Sequence, residues 1–143
     1  ALFEHPLEQK IHEIADEEPE AYWLAVNNRL LASVGIANGA RMLNMVNFYP
    51  DYGKWEIIDP EGEYDEIYNR YAHINVKLTD KETEFKAGET ADLFNLSLSC
   101  SDVEKLSVKY LVVAGEIGAC EKDFEKIYDD SEGNYYIYER IEK

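Results

Sequence analysis

Apolar residues Leu7, Ile11, Ile14 and Ala15 recur at helical spacing, so Pro6 to Asp16 predicts an amphipathic helix. Pro6 suits a first turn, where its missing N–H is not needed, and Pro19 suits a stop. The run Ala21 to Val26 predicts a short strand with Trp23 as a core anchor, and Asn28 to Val34 a turn of helix ending near Gly35. Met42 to Val46 fits a further strand. From His73 to Leu78 the pattern alternates, placing His73, Asn75 and Lys77 on one side and Ile74, Val76 and Leu78 on the other. Phe94 to Ser99 predicts a strand, and Ser101 with Glu104 has the spacing of a capping box for a helix from Ser101 to Leu106. Val108 to Ala114 is the most apolar run, as in strands covered on both faces. A helix from Glu121 to Tyr128, a turn at Gly133 and Asn134, and a strand from Tyr135 to Ile141 complete the prediction.

Together these elements predict a three-layer α/β domain with a small mixed sheet and at least one right-handed βαβ unit. A long ordered loop insertion is expected from about Gly39 to Tyr71, where Pro50, Gly53 and Pro60 interrupt any extended element. Inside it, Tyr64, Ile67, Tyr68 and Tyr71 form a short helical face. No internal repeat, low-complexity tract or linker divides residues 1–143, which read as one domain able to bury roughly two-thirds of its unfolded surface.

The formal net charge of −16 changes the range of partners. A polyanion of this size repels phosphate backbones, so nucleic acid is not an expected partner. Runs such as Asp16, Glu17, Glu18 and Glu20, and later Asp129, Asp130 and Glu132, read as solvated faces. No apolar run approaches the roughly 18 residues needed to span a bilayer, and no signal-peptide segment stands at the start. The chain reads as a soluble piece, and its start at Ala1, without Met and directly ahead of a helical pattern, suits a segment excised from a longer polypeptide. Cys100 and Cys120 each follow a predicted strand and precede a predicted helix, which brings both to the carboxyl edge of a parallel sheet. The favoured reading is a pair of small cap or core residues. A disulfide is the alternative and requires Cα atoms within about 7 Å.

Reaction signatures are excluded by spacing. There is no G-x-S-x-G elbow, phosphate loop or dinucleotide fingerprint, and Gly35 to Gly39 (GIANG) is too apolar and wrongly placed for one. His5, His12 and His73 lack metal-ligand spacing. The acidic run Asp59, Glu61, Glu63 and Asp65 departs from a calcium loop, because Gly62 falls fourth instead of sixth and the terminal Glu is missing. No cofactor is expected. The candidate site is the cluster of Asn47, Tyr49, Trp55, Tyr68, Asn69, Arg70, Tyr71 and His73. As a recognition surface, its Tyr and Trp rings stack on sugars while Asn69 and Arg70 hydrogen-bond hydroxyls or a phosphate. As a buried polar network, the same groups pin the long loop onto the sheet, and this structural reading is slightly favoured.

Several segments carry a family resemblance: NGARMLNMVNFYPDYGKW, IDPEGEYDEIYNRYAHI, EKLSVKYLVVAG, FEKIYDD and NYYIYER. The most specific is YNRYAHI, Tyr68 to Ile74, preceded by the NxYPxxxxW pattern from Asn47 to Trp55. From Ala21 onward the chain resembles the carboxyl-terminal extracytoplasmic domain of large multi-pass bacterial membrane proteins, themselves similar to glycosyltransferases of the C superfamily, which use polyprenyl-phosphate-linked sugars. The resemblance implies a location on the extracytoplasmic side of the cell membrane. It also implies the membrane-embedded part of the same polypeptide and envelope glycan as partners, and no catalytic residue in this piece. Two rival expectations stand beside it: an independent glycan-active hydrolase with two carboxylates across a cleft, and a protein interaction module with an apolar patch near Tyr49 and Trp55.

Overall fold

The computed structural model describes residues 6–28, 30–44, 73–87, 93–130 and 133–142, with backbone alone for His73, Ala87, Leu93 and Phe94. In chain order the elements are α1 (Pro6–Glu17), β1 (Tyr22–Val26), α2 (Leu30–Ala37), β2 (Arg41–Met42), β3 (His73–Thr79) and β4 (Glu84–Ala87). They continue with β5 (Leu93–Ser99), α3 (Cys100–Lys105), β6 (Val108–Ala114), β7 (Phe124–Asp130) and β8 (Tyr135–Arg140). The strands form one sheet in the order β4-β5-β3-β1-β6-β8-β7, with β2 attached to β1. Strands β5, β3, β1 and β6 are mutually parallel, whereas β4 and the β7–β8 hairpin add antiparallel margins. The fold is therefore α/β with a mixed sheet, as the alternation of apolar patterns predicts.

Period-two alternation sorts the core into two layers of side chains. Trp23 and Ala25 of β1, Tyr110 and Val112 of β6 and Ile137 of β8 face Leu7, Ile11 and Ile14 of α1 and Leu31 and Ala32 of α2. Their sequence neighbours Leu24, Val26, Leu111 and Val113 face the other way, against Val103 of α3, Leu106 just after it and the buried Ile117 and Ala119. Helices thus lie on both faces, and central β6 is buried on both sides, which is why its sequence is continuously apolar.

The edge of β1 that faces β3 is satisfied by three successive partners. Tyr22 and Trp23 pair with Arg41 and Met42 of β2, and the Leu43 N–H continues to the Trp23 carbonyl at 3.0 Å. Next the Asn44 side chain takes the place of a strand: its Oδ1 accepts from the Ala25 N–H at 2.7 Å, and its Nδ2 donates to the Ala25 carbonyl at 2.9 Å. The same Nδ2 reaches the Ile74 carbonyl of β3 at 3.3 Å. Beyond it β3 takes over, with Val76 opposite Val26 and its carbonyl accepting from the Asn27 N–H at 2.8 Å.

Several elements depart from the sequence expectation for identifiable reasons. Helix α2 continues through Gly35 to Ala37, because Gly35 faces the core: a Cβ there would stand 2.1 Å from the Met42 Cε. The left-handed Gly39, at φ 92°, closes the helical segment instead. The cap of α3 is Ser99, whose hydroxyl accepts from the Asp102 N–H, and not Ser101. The expected helix from Glu121 to Tyr128 is strand β7. Its apolar residues mimic helical spacing because a bulge between Lys126 and Tyr128 inserts one extra residue. Phe124 consequently packs in the α3 layer, while Ile127 and Tyr128 pack in the α1–α2 layer. Strand β4, four residues with Phe85 as its buried contact, has too short a pattern to be read from sequence. Strands β5 and β6 are joined through α3 as expected, but β3 and β1 lie between them. The helical face at Tyr64 to Tyr71, the acidic run at Asp59 to Asp65 and most of the expected insertion lie outside the described residues.

The Asn44 bridge predicts that Asn44→Ala lowers the urea midpoint at unchanged m-value, by the equivalent of about 2 to 4 kcal/mol, as the Ala25 amide group is left buried and unpaired. Circular dichroism melts in urea check this outcome.

Candidate functional site

Among β1, β3, β5 and β6, the parallel strands of the main path, the spatial order is third, second, first, fourth in chain order, so the progression reverses between β1 and β6. Such a reversal opens a crevice at the carboxyl ends of the strands, the usual ligand position in open α/β sheets. Here the chain itself spans that crevice. Asn27 leaves β1 in the left-handed conformation, φ 71°, and its Nδ2 donates to the Ala114 carbonyl at 3.1 Å and the Glu116 carbonyl at 2.7 Å. The segment from Gly115 to Asp123 then turns back across the strand ends. Its path uses left-handed backbone at Gly115, Gly118 and Cys120. A Cβ on Gly118 would lie 3.8 Å from the Leu78 carbonyl, which places the segment over the end of β3. Ile117 and Ala119 insert into the core beneath it, and Cys120 is joined to Cys100 at the end of β5 with Cα atoms 5.5 Å apart and an S–S distance of 2.09 Å. The alternative sequence reading, a bridge between two carboxyl-edge cysteines, is the arrangement present.

Two hollows flank the disulfide. One, of about 510 Å³, is lined by Thr79, Thr83, Ser99 and Asp102 among others, and Thr83, Ser99 and Asp102 bond one another. The Thr83 hydroxyl donates to Asp102 Oδ2 at 2.6 Å and accepts from the Ser99 N–H at 2.9 Å, while Lys105 lies 3.5 Å from Asp102 Oδ1. This network ties the β3–β4 turn to α3. The second, about 450 Å³, lies beside Asp80, Gly118, Glu121 and Asp123. Cys100, Cys120 and Asp123 bring possible metal-ligand atoms within 4.8 Å of one another, but both sulfurs are consumed in the disulfide, which leaves a single carboxylate donor.

The amino ends of β1 and β6 carry a charged clasp. Glu18, just after α1, accepts from both Lys109 Nζ and the Tyr110 hydroxyl, and the same hydroxyl lies 3.3 Å from Glu139 Oε2. The Tyr110 ring is buried against Trp23, with centroids 4.8 Å apart. The hydrogen bond from Lys109, then that from Tyr110, holds the Glu18 carboxyl below its usual range, and the bond to Glu18 raises the Lys109 ammonium. Burial, reinforced by Glu18, pushes the Tyr110 phenol well above the usual range, so it serves as a hydrogen-bond donor and not as a base. At the opposite edge from the disulfide, this group joins α1 to the sheet.

Of the residues the sequence singled out, Asn47, Tyr49, Trp55, Tyr68, Asn69, Arg70 and Tyr71 lie outside the described residues. The backbone of His73 opens β3 opposite Leu93, on the side shared with Asn75 and Lys77. There the Asn75 Nδ2 donates to Asn95 Oδ1 at 3.0 Å across the strands. The residues that organise the carboxyl edge, Asn27 and the left-handed glycines, have no motif. Their only sequence signal is the cluster of Asn and Gly at strand ends.

Two outcomes follow from this geometry. Because the folded-state pKa of Glu18 is depressed, its contribution is present above the unfolded value near 4.5 and is lost as pH falls through the folded value. Glu18→Gln should therefore cost at most about 1 kcal/mol near neutral pH, given a side chain 38% exposed, and the difference from the parent chain should vanish in acid. Unfolding curves across pH measure it. Replacing both cysteines, Cys100→Ser with Cys120→Ser, should cost about 3 kcal/mol, the loop-closure entropy for a separation of 20 residues. Matched urea titrations of the two chains read this directly.

No curated protein and no solved structure matches this chain. The profile of the family described as Domain of unknown function (DUF7654) matches residues 1–143, its whole length. The chain whose switch crevice is bridged by its own disulfide-tethered segment belongs to that family, the DUF7654 domains.

Proposed function

We propose that this chain is a noncatalytic extracytoplasmic domain of a membrane-embedded, glycosyltransferase-like protein that assembles cell-envelope polymer. The observation that carries the reading is the Cys100–Cys120 disulfide, because such bonds persist in oxidising compartments and are rare in the cytosol. The motifs around YNRYAHI and NxYPxxxxW, which resemble domains of that kind, supply the link to polyprenyl-phosphate-sugar chemistry. Among the described residues no helix is long and apolar enough to cross a membrane, so in this reading anchoring and bond-making belong to other parts of the polypeptide. The strongly acidic surface argues for a water-facing role and against a nucleic-acid partner.

The noncatalytic part of the reading rests on chemistry at the strand ends. A hydrolase with a carboxylic general acid needs a carboxyl whose proton is retained to higher pH. The Glu18 carboxyl, held by Lys109 and Tyr110, is displaced the other way.

In cells carrying the full-length parent protein, Cys100, the less buried of the two cysteines, is expected to react with a membrane-impermeant maleimide after treatment with a membrane-impermeant reductant. Without the reductant it should stay unlabelled. Free thiols that become reactive only after lysis would overturn the extracytoplasmic reading.

A further inference from the structure

We propose that the groove between the segment Gly115–Glu121 and the outer face of the β7–β8 hairpin is a binding site for a neutral saccharide. This identifies the glycan contact of the proposed function and rests on that reading for the source of the sugar. The groove has a volume of about 580 Å³ and is lined by Glu116, Glu121, Lys126, Asn134, Tyr136 and Tyr138, with Gly115 and Ile117 at its back. Tyr136 and Tyr138 alternate along β8, so both rings emerge on one face about 7 Å apart. Opposite them, on β6, stand Val113 and Leu111, both fully buried. Both tyrosines are half-buried.

The far wall is built by the tethered segment. The Gly115 N–H donates to the Asn134 carbonyl at 2.9 Å, which fixes one end to the hairpin, and the disulfide at Cys120 fixes the other. Glu116 and Glu121 therefore stand at set positions across from the rings. Asn134 Oδ1 accepts from the Tyr136 hydroxyl at 3.0 Å, which orients that ring. Lys126, Glu121 and Tyr138 all line the groove, and burial raises the Tyr138 phenol, with Lys126 opposing that shift and Glu121 adding to it.

The chemistry of this lining selects a ligand class. A sugar ring presents an apolar C–H face to an aromatic platform and a rim of hydroxyls to charged acceptors and donors. Carboxylates at 116 and 121 accept from hydroxyls, and the Lys126 ammonium donates to them. Two carboxylates in a chain of net charge −16 disfavour phosphorylated or uronic ligands. Lys126 Nζ lies 4.4 Å from the Tyr136 ring centroid and 3.6 Å from Asp129, so one face of that ring already carries a cation, and the proposed sugar uses the other face and the Tyr138 ring.

The test is a heteronuclear NMR titration of the 143-residue chain with maltohexaose, cellohexaose and mannohexaose, and separately with tetramethylammonium. At least one oligosaccharide should shift the resonances of Tyr136, Tyr138, Asn134 and Glu121 with a dissociation constant on the order of 1 mM. Tyr136→Ala, which removes a half-exposed ring, should weaken that binding about tenfold while leaving resonances in β1 and β6 in place. Glu121→Gln, an exposed site, should weaken it with the fold equally intact. Shifts from none of the three sugars at saturating concentration, shifts confined to other surfaces, or a response to tetramethylammonium alone would overturn the proposal. Any of those results leaves the thiol-labelling outcome in cells untouched. Conversely, cytosolic free thiols would remove the location reading without altering the sugar titration.

Discussion

The sheet depends on one amide. Strand β1 lies at its centre, and on one edge it must change partner from β2 to β3 within five residues. A backbone edge left open at that junction would strand the N–H and carbonyl of Ala25 in a dry interior. Asn44, itself 1% exposed, closes the junction because its side chain is a peptide group in miniature, with one acceptor and a two-hydrogen donor. No apolar residue could do this, and Asp would set a carboxylate against two carbonyl oxygens. The bond from Asn44 to the Ile74 carbonyl also sets where β3 begins. The placement of β5, in register with β3 along its whole length, follows from that.

From this placement follows the character of the carboxyl edge. Because β5 and β3 stand in line with β1, the end of β5 brings Cys100 within bridging distance of Cys120 on a segment that started three strands away. The disulfide, the buried Ile117 and Ala119, and Asn27 reaching two carbonyls hold that segment down. A crevice that in open α/β sheets receives a ligand is here filled by protein. Recognition is thereby displaced outward, to the groove that the same segment forms with the hairpin. Constraint in one place and a shaped surface in the next share a cause: the disulfide fixes both.

The opposite edge shows how an acidic chain keeps its few cations useful. Lys109 is placed between Glu18 and Glu139. Arg140 stacks 4.5 Å from the Phe124 ring and donates from Nε to the Val108 carbonyl at 3.0 Å. Burial lowers the pKa of its guanidinium, while Glu104 and Asp123 oppose that shift. These cations join strands to one another and to α1.

Much of the fold was legible along the chain: the helix at Pro6, the strands at Tyr22, His73, Leu93, Val108 and Tyr135, and the burial of Trp23 all follow from apolar spacing. Spacing failed where tertiary contacts set the geometry. The bulge in β7 made a strand look helical, Met42 packing required a glycine inside α2, and β4 exists only because β5 offers it an edge. Of the candidate site, the sequence could place both cysteines at the carboxyl edge, but the bond between them depended on strand order. That order decides which strand ends are neighbours, and local periodicity carries no record of it. By itself, then, the sequence determined most of the elements, the acidic character and the α/β class. The three-dimensional packing alone decided the Asn44 bridge, the closed crevice and the tyrosine-lined groove, because each joins residues whose proximity comes from folding and not from spacing along the chain.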